Sequence, residues 1–368
     1  MVSGFSAVLN LHVDHGVSRV RVRKENDMYG RLALTIIVAL AMIAAPGQAT
    51  ASSAASSWVK LAGTSAKLND VRGPVRLASY VLVYDAGNAN VAYLRTGKTF
   101  VKTRYRQVQV SKGGRWAAGV PGYGRYVPAT SVVLIDRERG KEYVIKTPAG
   151  VTSAQWSPDG RTVLLTAYRT RGRGYQAIGF ITIDVSDRRP RLVKAGSPWT
   201  VFDWDVGDRE RFFWNADGTG VMATLTQDKG IAAYDLNGRR ARVYAGVGWL
   251  QGQVTSLFPV SGRYFVSVER HEGSHEQTTL IIEADSGEVA HRISGGSFRG
   301  WYDDNHVIMA FQTEAKPPTG PNRKGPRSTY RLVGVDGKAG MTLIKEQIYI
   351  NESVSGYKPS IAWLDFPR

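Results

Sequence analysis

Trp156-Ser157-Pro158-Asp159-Gly160-Arg161-Thr162-Val163-Leu164-Leu165-Thr166 decides how this chain folds. An aromatic residue closes one extended run. Ser-Pro-Asp-Gly then supplies turn chemistry, and its glycine takes positive φ without strain. A β-branched and apolar run follows, which is strand chemistry. The same order recurs from Trp214 to Thr224 (WNADGTGVMAT), Phe258 to Val268 (FPVSGRYFVSV) and Trp301 to Phe311 (WYDDNHVIMAF). Val110 to Val120 (VSKGGRWAAGV) is a worn copy.

Beyond each such stretch lies a second landmark. Asp85, Asp136, Asp184, Asp235, Asp285 and Asp336 are separated by 51, 48, 51, 50 and 51 residues. Each ends a short β-favouring run: Tyr80 to Tyr84, Val132 to Ile135, Phe180 to Ile183, Ile231 to Tyr234, Leu280 to Ala284 and Leu332 to Val335. A period of that size means one supersecondary unit copied several times. Each unit reads as four strands: one ending at the aromatic, one after the glycine turn, one ending at the aspartate, and a short run after it, such as Lys141 to Ile145 or Ala241 to Tyr244.

A four-stranded sheet cannot bury both faces alone, whereas sheets packed radially can. The expected fold is therefore all-β, a single β-propeller of four-stranded antiparallel blades. The period counts six blades, or seven if Trp58 to Arg76 hides a degenerate unit. The unit around Asp85 lacks its own aromatic turn, and Ile361 to Asp365 supplies one at the other end of the chain. The ring is thus expected to close by pairing N- and C-terminal strands. An open sandwich does not explain so regular a period.

The Trp-Ser-Pro-Asp-Gly turn with its following strand resembles the WD40-like repeat of TolB-type β-propellers. The likeness is close over Trp156 to Thr166 and fair over Trp214 to Thr224; the other units match by pattern only. It implies propeller architecture. It implies no catalytic residues, because such propellers serve as scaffolds, accessory domains and occasional enzymes.

The N-terminus reads as an export signal. Leu32 to Ala45 is apolar or small apart from Thr35, follows Arg31 and leads to Ala49-Thr50-Ala51, a small-x-small cleavage site. The run falls short of the ~20 residues needed to span a bilayer; an uncleaved anchor is the alternative. Residues 1–51 are read as the signal region, with Met28 as an alternative start, 52–57 as a flexible leader and 58–368 as the propeller. The expected location is outside the cell, in contact with the wall. The chain has no cysteine, which excludes disulfides, thiolate metal sites and a cysteine-linked lipid anchor. Long helical periodicity is absent after residue 50.

Net charge is +17, of which about +15 follows residue 51. A basic exported protein meets anionic partners: wall polymers, acidic glycans, lipid headgroups or extracellular DNA. The segments between second and third strands carry much of this charge. They read PGYGRYVP (Pro121 to Pro128), YRTRGRGY (Tyr168 to Tyr175), RHEGSHEQ (Arg270 to Gln277) and KPPTGPNRKGPR (Lys316 to Arg327), and all four are expected to be loops on one face. The candidate ligand-binding residues are Arg125, Tyr168, Arg169, Arg171, Arg173, Tyr175, Arg323, Lys324 and Arg327. Arginine forks suit carboxylate, sulfate and phosphate, and tyrosine offers stacking faces. Trp156, Trp214, Trp301 and Trp363 are expected to pack between blades.

His271-Glu272-Gly273-Ser274-His275 matches the H-E-x-x-H zinc pattern. That pattern needs a helix, and the flanks here read as strands around a Gly-Ser turn. His271 and His275 are thus weak metal candidates in a hairpin. No G-x-S-x-G elbow, Walker A or dinucleotide fingerprint occurs, and no cofactor is expected. Asp203/Asp205 and Asp303/Asp304 could serve glycoside cleavage only across a cleft, and turn chemistry accounts for them. The expected function is a non-catalytic exported propeller that binds an anionic polymer or acidic protein at the cell envelope. The alternative is a secreted lyase or hydrolase acting on acidic polysaccharide.

Overall fold

In a computed structural model of the chain, the described residues are 58–70, 73–84, 89–122, 127–172, 174–196, 200–202, 211–225, 230–252, 254–270, 277–313, 324–351, 356–357 and 360–367. All belong to the second of two compact units, Ser53–Arg368. No helix occurs among them. A short pair, β1 (Trp58–Lys60) and β2 (Lys67–Asn69), comes first, then β3 (Ser79–Tyr84), β4 (Ala89–Thr96) and β5 (Thr99–Lys102). Next are β6 (Gln107–Val110), β7 (Trp116–Val120), β8 (Ala129–Asp136) and the long β9 (Lys141–Trp156). β10 (Thr162–Arg171), β11 (Gly174–Asp184), β12 (Pro190–Lys194) and β13 (Thr200–Phe202) follow. The middle of the chain gives β14 (Phe213–Trp214), β15 (Gly220–Thr224), β16 (Ile231–Asp235), β17 (Arg240–Tyr244), β18 (Tyr264–Arg270), β19 (Gln277–Glu283) and β20 (Val289–Ser294). The last are β21 (Ser297–Trp301), β22 (His306–Gln312), β23 (Lys324–Gly334), β24 (Ala339–Asn351), β25 (Gly356–Tyr357) and β26 (Ser360–Asp365).

These strands form a propeller-like ring of antiparallel sheets. The sheets run β26-β3-β4-β5, then β6 to β12 with β13 alongside, then β14 to β17, then β18 to β20, and finally β21 to β24 with β2, β1 and β25 added. Hydrogen bonding thus gives five sheets, not the six separate four-stranded units read from the period. The reason is β9. Its first half pairs with β8 and its second half with β10, so two units share one strand. Ser153 in β9 sits at φ 59, a left-handed conformation, at the bulge where its pairing with β10 shifts register. Trp58 to Arg76 holds no further unit: β1 and β2 extend the last sheet through β24.

The turns recur as the sequence predicts. The Ser157 N–H donates to Thr162 O at 2.8 Å, and the Gly160 N–H donates to Ser157 O at 2.8 Å. Asn215 and Gly218 repeat both bonds, at 3.0 and 3.4 Å. Each turn also rests on the one before. A Cβ on Gly160 would meet the backbone of Lys112 at 3.2 Å, one on Gly218 would meet Pro158 at 3.2 Å, and one on Gly262 would meet Ala216 at 2.6 Å. Gly160 and Gly218 have φ of 73° and 75°, so glycine serves both the turn and the close approach. Between the next two turns the Ser261 N–H donates to Asp304 Oδ1 at 2.8 Å.

The periodic tryptophans join neighbouring units. Trp156 Nε1–H donates to Gln109 O at 3.0 Å, and Trp301 Nε1–H donates to Leu257 O at 2.8 Å. Trp301 is 1% exposed and packs on Phe298. Trp214 is also buried, but its indole N–H has no partner among the described residues. Apolar residues of facing sheets fill the space between. One cluster joins Leu164 and Phe180 to Phe212, Val221 and Tyr234; another joins Val81 and Ala92 to Val108, Ala117 and Val133.

A candidate anion-binding face and an axial cavity

Two of the basic stretches are partly strand, not loop, among the described residues. β10 and β11 stay paired through Tyr168↔Ala177, Arg169↔Gln176 and Arg171↔Gly174. Lys324 and Arg327 lie in β23, opposite Tyr349 and Gln347. The many Gly, Pro and Arg residues read as loop because they lack an apolar face, yet the hairpin ladders simply continue outward. Arg169 Nε and Nη2 donate to Gln176 Oε1 at 3.0 and 2.7 Å, and Arg327 Nε donates to Gln347 Oε1 at 3.1 Å. Neutral amides thus hold both guanidiniums, and neither makes an ion pair among the described residues. Arg171 is exposed at the tip.

Tyr168 is corrected. It is 1% exposed and packed against Ala177, so it offers no open stacking face. Burial along β10 is unbroken from Val163 to Tyr168 and ends at Arg169, so Tyr168 is the last residue inside the packing. Tyr175 is half-buried beside it. Arg125, Arg173 and Arg323 lie outside the described residues, as do the side chain of Lys324, Asp203/Asp205, and His271 and His275. The Arg270↔Gln277 pair on either side of the two histidines is antiparallel strand, which is not the helical setting a zinc pattern needs. Among the described residues no group of three His, Asp or Glu could hold a metal, and no helix is long and apolar enough to cross a membrane.

Sequence reasoning missed two buried cations at the same end of the strands. Arg106 precedes β6 and is 5% exposed; Arg211 precedes β14 and is 3% exposed. Arg106 donates to the carbonyls of Val127 and Val151, which ties its own unit to β9. Burial, and then the neighbouring Arg211 charge, lower the Arg106 pKa to about 10. Nothing in the sequence around Arg106 separates it from a surface arginine. Its burial follows from assembly of two units, not from local pattern.

At the opposite end, the turns surround a cavity of about 130 Å³. Gln109 of β6, Gln155 of β9, Trp214 of β14 and Asp365 of β26 line it together. Inner strands of four units therefore converge there. Asp365 accepts the Val110 N–H at Oδ2, 2.8 Å away. Ser79 Oγ lies 3.1 Å from the same oxygen and 2.6 Å from Val108 O. The Ser79 hydroxyl can donate to either oxygen, which ties the carboxyl to the β6 backbone. Burial lifts the Asp365 pKa to about 7, against the Val110 and Ser79 bonds and the Arg137 charge. The acidic pair Asp303/Asp304 belongs to a turn: Asp303 bonds the Asn305 N–H and His306 Nδ1, and Asp304 takes the Ser261 N–H.

No family model and no curated protein sequence matches this chain. Solved structures similar to it include TolB from Acinetobacter baumannii, at 18% identity and TM-score 0.46, over 77% of this chain and 66% of that one. The chain thus spans just under two thirds of TolB's length. An oligogalacturonate lyase in complex with manganese is similar at 11% identity and TM-score 0.47, over 77% and 82% of the two chains. The Cps50 (Swd1) β-propeller domain of Myceliophteria thermophila is similar at 11% identity and TM-score 0.44, over 83% and 98%. The likeness is one of propeller-like folds, and no activity passes from these proteins to this chain.

Proposed function

We propose that this chain is an exported, non-catalytic β-propeller that binds an anionic polymer, or an acidic protein, at the cell envelope. The binding face is the hairpin end of its sheets. In this reading the shared β9 joins two blades, the blade count is six, and the β26–β3 pairing closes the ring. Arg125, Arg169, Arg171, Arg173, Arg323, Lys324 and Arg327 then lie on one rim, with Tyr175 between them.

The observation that carries the reading is how the rim arginines are held. Arg169 and Arg327 are steadied by glutamine amides, so their charge is oriented without being neutralised. Buried Arg106 and Arg211 add positive potential beneath them. Preset guanidinium forks suit sulfate, phosphate or carboxylate.

Two triple variants test it. One replaces Arg169, Arg171 and Arg327 by serine; the other replaces Arg139, Arg239 and Lys338, which lie in turns at the far end. Both lose the same net charge. Retention on heparin or a polyphosphate resin falls in the first variant, and its salt slope flattens by about one unit for each phosphate the rim no longer neutralises. Equal losses in both variants would mean that only net charge matters, and the rim would have no role.

A further inference from the structure

We propose that the axial cavity at the turn end is a second binding site, for one neutral six-membered sugar ring, either free or at the end of a glycan. This site is distinct from the basic rim and lies at the other end of the strands.

The first argument is unfilled hydrogen bonding. Gln109 is 4% exposed, lines the cavity, and its side-chain amide makes no hydrogen bond to a described residue. Gln155 is 2% exposed; its Nε2–H donates to Phe212 O at 3.0 Å, and its Oε1 has no described partner. These amide atoms face the cavity and are free to bond whatever fills it, water or ligand. Both amides belong to inner strands, and both sit one residue before the end of their strand. Their side chains therefore reach the same level of the cavity from neighbouring units.

The second argument is the match of chemistry and size. Amides offer a donor and an acceptor together, which suits a hydroxyl that both gives and takes a hydrogen bond. Trp156, Trp214 and Phe258 also line the space, and aromatic walls favour the C–H faces of a sugar ring. Ser79 and Val110 both engage Asp365 at Oδ2, so the one carboxyl lining the cavity is held to the strands. The floor is thus polar without strong charge, unlike the rim. At ~30 Å³ per water the cavity holds about four waters, so it takes one edge of a pyranose, with the rest of the ring at its open side.

The test uses the intact protein with glucose, N-acetylglucosamine and glucuronate as probes, followed by saturation-transfer NMR and calorimetry. A neutral sugar binds with Kd of about 1–10 mM, as expected for a dozen heavy atoms. Gln109→Leu and Gln155→Leu each weaken it at least fivefold while the melting temperature confirms folding. The rim variant with Arg169, Arg171 and Arg327 replaced binds the sugar unchanged, so failure of the cavity and failure of the rim are told apart. Attaching the sugar to a soluble glycan chain separates the two sources: a glycan-end site binds both forms. No transfer to either neutral sugar at tenfold higher concentration would overturn the proposal, since the cavity would then hold water alone. Binding that is unaffected by both glutamine variants, or seen only for glucuronate, would overturn it equally.

Discussion

Asp159 and Asp365 lie at the same end of the sheets and behave in opposite ways. Asp159 sits in a repeated turn, where the Ser157 hydroxyl donates to it at 2.5 Å and the Arg161 N–H at 3.1 Å. Partial burial works against its charge, but these bonds outweigh burial and hold its carboxyl below the usual range. Asp217 repeats the arrangement with both groups of Thr219. Asp365 lies where β26 meets β3, fully enclosed, and burial wins. Inside the repeat, short-range bonds make a turn that is stable by itself. At the seam, the same residue type is held by groups from β3 and β6, and its state depends on assembly of the whole unit.

The largest effect is expected where neighbouring units lock. Trp301→Ala removes a buried indole and its bond to Leu257 O, and lowers stability by about 3–5 kcal/mol in urea titration. A loss under 1 kcal/mol would mean that the tryptophan slot does not join units.

The seam comes next. A carboxyl whose folded pKa lies above its unfolded value contributes stability that is complete below the unfolded pKa. That contribution is lost as pH rises through the folded one. For Asp365 the window runs from 3.8 to about 7. The protein is therefore less stable at pH 8 than at pH 5, by about 2–3 kcal/mol from this group. Glu346, lifted by burial and accepting the Ile361 N–H at 3.1 Å, acts in the same direction. Asp365→Asn keeps the bonds to Ser79 and Val110 and flattens the profile. An unchanged slope in that variant would contradict a protonated seam.

A turn carboxylate gives the reverse sign and a smaller size. Asp159→Ala costs about 1 kcal/mol at pH 7, and the difference from wild type shrinks as pH falls through the depressed folded pKa. A difference that persists at pH 2 would assign the loss to packing. The smallest effect is at the rim. Replacing Arg169, Arg171 and Arg327 by serine leaves stability within about 0.5 kcal/mol, because exposed side chains held by neutral amides contribute little.

What the sequence shows follows the same division. The turns from Trp156 to Thr166 and Trp214 to Thr224 were readable because proline, aspartate and glycine act within a few residues of themselves. Every periodic run became a strand for the same reason: alternation and β-branching are local signals. The continuity of β9 was not readable, because Pro148 and Gly150, where one sheet hands over to the next, read as a break between strands, yet the strand runs through them. Tyr168 looked like a rim residue because its neighbours are Arg and Gly, while its burial depends on how far along β10 the packing reaches. Arg106, Gln109 and Asp365 owe their character to burial between units far apart in the chain, so no local pattern announces them.

The claim that most of this rests on is that β26 and β3 close the ring. β26 pairs with β3 from Ser360↔Val83 to Asp365↔Ser79. Amide hydrogen exchange on the intact protein tests it directly. The account predicts that the backbone amides of β26 exchange as slowly as those in the second half of β9, and that both speed up together in denaturant as one cooperative unit. Fast exchange confined to β26, with β9 still protected, would contradict closure and with it the shared axis of rim and cavity.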